Sequence, residues 1–173
     1  MRQDKLSAET DMASMTLLEI SRVFGRVPNL FQAYAKHPLL LEANWNKVKA
    51  VLLNGKLRRK VKEIIALLVS HDNGCDYCVA AHSAALKSLG ASEAEITAMM
   101  KKGWVPGHSA AEITLVAFAR KANLHWRDIN EEDFRALNAL GVDEVEIIEA
   151  LGVVELFAGF NRFARIMQVP VDF

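Results

Sequence analysis

The chain has only two cysteines and four prolines among 173 residues, and its 21 basic and 21 acidic side chains leave no net charge. With no second cysteine pair, a finger-type zinc site cannot be completed. The balanced charge gives no overall attraction to nucleic acid or to an anionic membrane. We therefore expect neither of them as a partner.

Long apolar runs are also absent. The most apolar stretch, 147–160, is interrupted by Glu149 and Glu155, so we predict no membrane span. The opening residues, MRQDKLSAETDM, lack the apolar segment of a signal peptide, and we expect a cytoplasmic protein. In that compartment a Cys-x-x-Cys pair is more often redox-active or metal-binding than a structural disulfide. Because there is no glycine-rich phosphate loop and no dinucleotide fingerprint, we expect no nucleotide, flavin or haem cofactor.

Apolar residues recur at spacings of three and four along most of the chain, and strand signals are almost absent. Three possible capping boxes, at Ser92, Ser109 and Asp143, each predict the start of a helix. The first predicted helices cover 38–53, then a segment that includes 61–69 and ends at 73–74, then 75–89, and another begins at 92. Gly103, Pro106 and Gly107 mark a loop. After it, three more helices are predicted over 109–126, 130–140 and 143–167. This pattern predicts one all-α domain over residues 1–173.

The two cysteines belong to the segment GCDYCVAAH, which covers residues 74–82. On a helix, Cys75 and Cys78 are neighbours at i, i+3, and Cys78 and His82 are neighbours at i, i+4, so all three share one face. The unsatisfied backbone N–H groups of a helix start stabilise a thiolate. The spacing therefore indicates dithiol redox chemistry.

A thiolate that attacks a peroxide needs a proton donor, because the departing oxygen is strongly basic. His82 with a carboxylate behind it can supply that proton and recover it. Glu63, on the preceding helix, is the candidate carboxylate. Burial would raise its pKa unless cations offset the effect. Alternatively, Glu63 faces water and pairs with Arg59 or Lys60.

These residues resemble a known family. Glu63 and the run NGCDYCVAAH at 73–82 match the signature Glu-x11-Cys-x-x-Cys-x3-His of the alkylhydroperoxidase D-like (AhpD-like) branch of the carboxymuconolactone decarboxylase superfamily. The segments VPNLFQAYAKHP at 27–38 and MQVPVDF at 167–173 resemble the flanks of its peroxidase-related members. The resemblance implies an AhpD-like multi-helix bundle that assembles into dimers, trimers or hexamers, with its core motif region at about 38–125.

The resemblance also implies an enzyme, a peroxidase that reduces alkyl hydroperoxides or H2O2. Cys78 would attack, Cys75 would resolve, and His82 with Glu63 would relay the proton. An external dithiol, lipoyl- or thioredoxin-like, would then reduce the disulfide. Tyr77 departs from the family, whose better-understood hydroperoxidases have histidine there. A tyrosine donates a hydrogen bond but titrates near ~10, so it is not a base at neutral pH.

Other functions remain open. Zinc bound by Cys75, Cys78 and His82 would strain an intact helix, since the outer two ligands lie about 10.5 Å apart along its axis. The dithiol could instead serve a general disulfide oxidoreductase, a redox sensor, or an oligomerisation module switched by its disulfide. Phe157 and Phe160 are either packing residues or the wall of an apolar substrate channel. The basic run KLRRKVK at 56–62 is either a solvated face or a docking patch for an acidic electron donor.

Overall fold

A computed structural model describes residues 2–103 and 107–173 of the chain, and Pro106 of the predicted loop lies outside them. Within these residues the chain forms helices and loops, with no β-strand, which confirms the all-α prediction. The α-helices are α1 Arg2–Phe24, α2 Asn29–Tyr34, α3 Pro38–Val48, α4 Arg59–Asp72, α5 Asp76–Ser88, α6 Glu93–Lys102, α7 Ala110–Leu124, α8 Glu131–Ala139 and α9 Glu144–Ile166. A π-helix, Lys49–Leu53, continues α3, and a short 3-10 helix, Trp126–Asp128, follows α7.

Most helix starts lie where the sequence places them. Ser92, Ser109 and Asp143 each accept a hydrogen bond from the third residue of the following helix, so all three capping boxes are confirmed. Two helices, α1 and α2, were not predicted from the sequence. Ala13, Thr16 and Ile20 are buried at spacings of three and four on α1, and this pattern could have predicted it.

The core is built around α4, which contacts α5, α6, α7 and α9. Every residue from Val61 to Ser70 is buried, because neighbours cover this helix on all sides. Its burial includes two charged side chains, Lys62 and Glu63, and a buried charge needs a partner. Among the helices of the described residues, none has the length and apolar character needed to cross a membrane.

The partner of Lys62 is Glu149, a carboxylate on α9. Its Nζ lies 3.1 Å from Glu149 Oε2, and it donates a hydrogen bond to the Asn54 carbonyl. Glu149 also accepts hydrogen bonds from the backbone N–H groups of Lys56, at 2.5 Å, and Leu57, at 2.9 Å. Gly55 has φ +105°, and a Cβ there would lie 2.4 Å from the Glu149 carboxylate. One ion pair therefore fixes the loop before α4.

The basic run at 56–62 is thus largely neutralised by this chain itself. Lys56 pairs with Asp143, and Arg58 pairs with Glu112. Arg59 pairs with Glu63, and Lys62 is buried. The run is therefore not simply a solvated face, and few of its charges are left for an acidic partner.

Replacing Glu149 with glutamine should lower the free energy of unfolding by about 3–5 kcal/mol, because it leaves the Lys62 ammonium buried without its counter-charge. Urea denaturation followed by circular dichroism measures the change. The matched control is Glu155→Gln, whose partner Lys47 is exposed like itself. It should cost less than about 1 kcal/mol. Equal costs for the two variants would contradict the importance of the buried pair.

Candidate active site

The two cysteines lie where α4 turns into α5. The turn passes through Asn73 and Gly74, whose φ of +66° suits glycine. Cys75 is the N-cap of α5, and its backbone N–H donates to the Ser70 carbonyl at 2.9 Å. Both cysteines are free and buried, with exposed fractions of 3% for Cys75 and 2% for Cys78. The helix starts one residue later than predicted, and both cysteines lie at its N-terminal end.

The two thiols titrate as a pair. A hydrogen bond with Cys78 lowers the pKa of the Cys75 thiol to about 6, although burial opposes the shift. The same hydrogen bond, together with burial, raises the pKa of Cys78. The pair therefore loses one proton easily and holds the second, so that one negative charge is shared by two sulfurs.

Glu63 lies on the central helix α4 with none of its side chain exposed. Its Oε2 is 2.7 Å from His82 Nδ1, and its Oε1 accepts a hydrogen bond from Arg59 Nε at 2.6 Å. Burial raises the pKa of Glu63, but the hydrogen bonds and positive charges of His82 and Arg59 outweigh it, and the pKa is lowered. Glu63 therefore does pair with Arg59, as one of the two predictions had it, but its carboxylate is buried and does not face water.

His82 receives a defined orientation from these contacts. An ionised Glu63 only accepts hydrogen bonds, so the ring nitrogen that faces it, Nδ1, carries the hydrogen. Nε2 is then left for the reacting groups. The edge-to-face ring of Phe157 packs against the imidazole, with 4.2 Å between centroids and 89° between planes. The imidazole is therefore held on two sides.

A cavity of about 470 Å³ leads to these residues. Arg59, Glu63, Cys78 and His82 contribute to its lining, whereas Cys75 is not among the described residues that line it. The rest of the wall is mainly apolar, with aromatic residues from α1, α2, α9 and the segment after α9: Phe24, Phe31, Phe157, Phe160 and Phe173. Phe157 and Phe160 pack together, as predicted, and they also line the cavity. That they wall a substrate channel stays a prediction.

Tyr77 stands on the cavity wall beside Cys78. Its hydroxyl oxygen accepts a hydrogen bond from the backbone N–H of Leu30 at 3.1 Å, and its ring meets Phe173 edge to face at 5.6 Å. Burial raises the pKa of the phenol. Tyr77 therefore stays protonated near neutral pH, and its contacts tie α2 and the end of the described chain to the start of α5.

The structure thus brings together the predicted site residues: Glu63 on α4 contacts His82 on α5, both line the same cavity as Cys78, and Cys78 is paired with Cys75. Sequence reasoning missed two polar residues that surround the thiols, Ser70 and Asn161. A polar residue inside an otherwise apolar helix was the signal that could have found them. It also missed the cavity wall contributed by α1 and α2, because those helices were not predicted.

Within the described ranges, 2–103 and 107–173, no group of three or more His, Cys, Asp or Glu side chains could hold a metal ion. The buried Glu63 carboxylate already has two nitrogen partners. That the site works without a metal or an organic cofactor stays a prediction.

Comparison with known proteins identifies the fold class first. Over 94% of this chain, the fold matches a peroxidase-related protein from Ralstonia eutropha described as an alkylhydroperoxidase AhpD core, with a TM-score of 0.85 and 25% identity over 86% of that chain. A peroxidase-related protein from Silicibacter sp. matches equally, with a TM-score of 0.85 and 26% identity over 94% of this chain and 85% of that one. The bundle is therefore AhpD-like.

The sequence comparisons agree with this likeness. Residues 38–121 match the carboxymuconolactone decarboxylase family. A stretch of 101 residues, 58% of this chain, is 31% identical to an alkyl hydroperoxide reductase of Mycobacterium tuberculosis but spans only 29% of that relative. The predicted resemblance is therefore confirmed: residues 38–121 match the carboxymuconolactone decarboxylase family, and the fold is similar to that of AhpD-like, peroxidase-related proteins.

We expect alkylation of the reduced protein by iodoacetamide to rise with pH around an inflection near pH 6, since only the thiolate reacts and the pKa of Cys75 is lowered to about 6. In Cys78→Ala the inflection should move up toward the ordinary range of a thiol, because the hydrogen bond from Cys78 is the largest cause of the lowering. Intact-mass measurement of the modified fraction gives both curves. An unmoved inflection in the variant would refute the shared charge.

Proposed function

We propose that this protein is a thiol-dependent peroxide reductase that acts on organic hydroperoxides with an apolar body. The observation that carries the proposal is the hydrogen-bonded chain from Arg59 through the buried Glu63 to His82, which lines the same cavity as Cys78. A cysteine pair alone serves many redox proteins, but an imidazole oriented by a buried carboxylate is what proton transfer requires. The peroxidase-related relatives support the same reaction class.

In the proposed cycle, the Cys78 sulfur attacks the outer oxygen of R–O–OH and the O–O bond breaks. The attack requires the shared charge on Cys78, with the remaining thiol proton on Cys75. The alkoxide RO⁻ takes a proton from the imidazolium of His82, which gives R–OH and leaves Cys78 as a sulfenic acid. The peroxide has then been reduced by two electrons, and Cys78 has been oxidised by two.

The Cys75 thiol next gives its proton to the neutral imidazole of His82, and the resulting thiolate attacks the sulfur of the sulfenic acid. The S–O bond breaks, water leaves with the proton returned through His82, and the Cys75–Cys78 disulfide forms. An external dithiol then reduces the disulfide and is itself oxidised to a disulfide. Glu63 remains a carboxylate throughout, because Arg59 and His82 hold its pKa low, so its role is to stabilise the imidazolium and not to take up the proton.

Access to the pair guides the choice of partners. Both cysteines are buried and Cys78 lines the cavity, so a flat protein surface cannot reach them directly. A reductant with a long, slender arm, such as a lipoyl group, fits this geometry better than a surface dithiol. The same burial argues against a general protein-disulfide reductase. Assembly into a homo-oligomer stays a prediction.

The cavity guides the choice of substrate. Its volume of about 470 Å³ lies in the range of small-molecule sites, roughly 300–1,000 Å³. H2O2 makes no use of an aromatic wall, whereas an aryl or branched alkyl hydroperoxide buries its apolar body there and gains roughly 25 cal/mol for each Å² covered. We therefore place organic hydroperoxides ahead of H2O2.

Replacing Glu63 with glutamine should slow disulfide formation at least tenfold after one equivalent of cumene hydroperoxide, because the imidazolium loses its counter-charge. Intact mass and free-thiol count report the loss of two hydrogens and of both thiols. Glu155→Gln, a surface carboxylate change, should match the wild type. Cys78→Ser should abolish turnover, and full turnover in that variant would refute the assignment of the attacking thiol.

A redox sensor or oligomerisation switch needs only the two thiols. Oxidation that is slow and indifferent to Glu63→Gln would therefore support that function instead.

Filling the cavity should separate the two classes of peroxide. Ala85 lines the cavity on α5, and Ala85→Phe should raise the KM for cumene hydroperoxide at least tenfold while the rate with H2O2 changes less than twofold, because the loss of roughly 2 kcal/mol of apolar contact affects only the bulky substrate. Initial-rate kinetics with dihydrolipoamide as reductant provide both numbers. A parallel loss with both peroxides would show that the variant disturbs the thiols themselves.

A further inference from the structure

Two buried polar side chains beside the cysteines have no part in the proton relay. Ser70 on α4 is 0% exposed, and Asn161 on α9 is 2% exposed. A buried hydroxyl or amide is costly unless its hydrogen bonds are satisfied, so their partners identify what they serve.

The contacts of Asn161 fix the direction of its amide. Its Oδ1 accepts a hydrogen bond from Asn73 Nδ2 at 2.9 Å, and its Nδ2 donates to Ser70 Oγ at 3.0 Å. Because the Asn161 oxygen bonds to Asn73, the Asn161 amino group faces α4 and the start of α5. An amide has two N–H donors, and Ser70 uses one of them.

The second N–H of Asn161 lies near the N-terminal end of α5, since Ser70, which accepts the first, is itself bonded to Cys75. The Ser70 carbonyl accepts the Cys75 backbone N–H at 2.9 Å, which places α4, α9 and the N-cap of α5 around one point. Hydrogen bonding by Asn161 lowers the pKa of both thiols, and hydrogen bonding by Ser70 lowers that of Cys78. Asn161 and Ser70 are thus neutral donors beside the pair, and both favour the charged form of a thiol.

We propose that Asn161, held by Ser70 and Asn73, is a positioning residue that donates a hydrogen bond to whichever cysteine sulfur carries the shared negative charge. It follows the charge between Cys75 and Cys78 without titrating itself. The inference deepens the proposed function, since attack at Cys78 and resolution by Cys75 both require a stabilised thiolate.

The hydrogen bond also affects the redox equilibrium. In this equilibrium, the protein dithiol and glutathione disulfide react to give the protein disulfide and two molecules of glutathione. A thiolate accepts the Asn161 hydrogen bond far better than an uncharged disulfide does, so the bond favours the reduced protein. Removing it should favour the disulfide.

The test is the pH profile of iodoacetamide alkylation on the reduced full chain, in Asn161→Leu and Asn161→Asp. Losing a hydrogen bond to a charged group should raise the inflection by about one pKa unit in the leucine variant. The aspartate variant should shift it further, because a carboxylate adds like charge beside the thiolate. In the leucine variant, the glutathione equilibrium at pH 7 should move about fivefold toward the disulfide.

The order of the two variants separates this role from a structural one. Aspartate nearly matches asparagine in shape, so a residue needed only for packing would tolerate aspartate better than leucine. Asn123→Ala is the matched control, since it removes the 2.9 Å hydrogen bond to Asn73, one step farther from the sulfurs. It should leave the profile unchanged.

An unshifted profile in folded Asn161→Leu and Asn161→Asp overturns the proposal, even if both variants still reduce cumene hydroperoxide. A shifted profile in protein that is inert toward peroxides supports the positioning role and overturns only the proposed function. If thermal unfolding shows that neither variant folds, the same profile is measured on Ser70→Ala. This milder change deletes only the hydroxyl oxygen that holds Asn161. The inflection must then rise, and a profile that does not move overturns the proposal.

Discussion

The structure depends on the burial of one carboxylate in the middle of the central helix. A fully buried Glu63 would be strongly destabilising without partners, so its two oxygens are matched to two nitrogen donors. Arg59 comes from the same helix, four residues earlier, and His82 comes from α5. Because the second contact is only 2.7 Å long, it fixes how α5 lies against α4. The position of His82 near Cys78 follows from that packing.

The cysteine pair obeys a related constraint. Its negative charge is buried, and a buried anion must be balanced by hydrogen bonds or by positive charge. Here the partners are the second thiol, the Asn161 amide and the Ser70 hydroxyl. The two anions of the site are thus stabilised differently. Glu63 has cationic partners, whereas the thiolate has neutral donors, which stabilise charge without neutralising it and so leave the sulfur nucleophilic.

The cavity supplies the remaining feature of the site, which is a mainly apolar wall beside Cys78 and His82. Phe24 on α1, Phe31 on α2 and Phe160 on α9 come from distant parts of the chain and meet on its wall. Phe157 serves both the wall and the imidazole. A wall of this kind strengthens electrostatic interactions inside it and selects for apolar substrates. The fold thus places this apolar wall beside the two groups that the proposed reaction uses, Cys78 and His82.

The sequence by itself determined the helical class, the three capping boxes and the register of Cys75, Cys78 and His82, because all of these depend on spacing within one helix. The motif also predicted the resemblance to AhpD-like proteins. Only the tertiary structure decided that Glu63 is buried and ionised, that Asn161 reaches the thiols from 83 residues beyond Cys78 in the chain, and that α1 and α2 close the cavity. Such contacts join residues far apart in sequence. No local period encodes them, since the packing of helix on helix decides which faces meet.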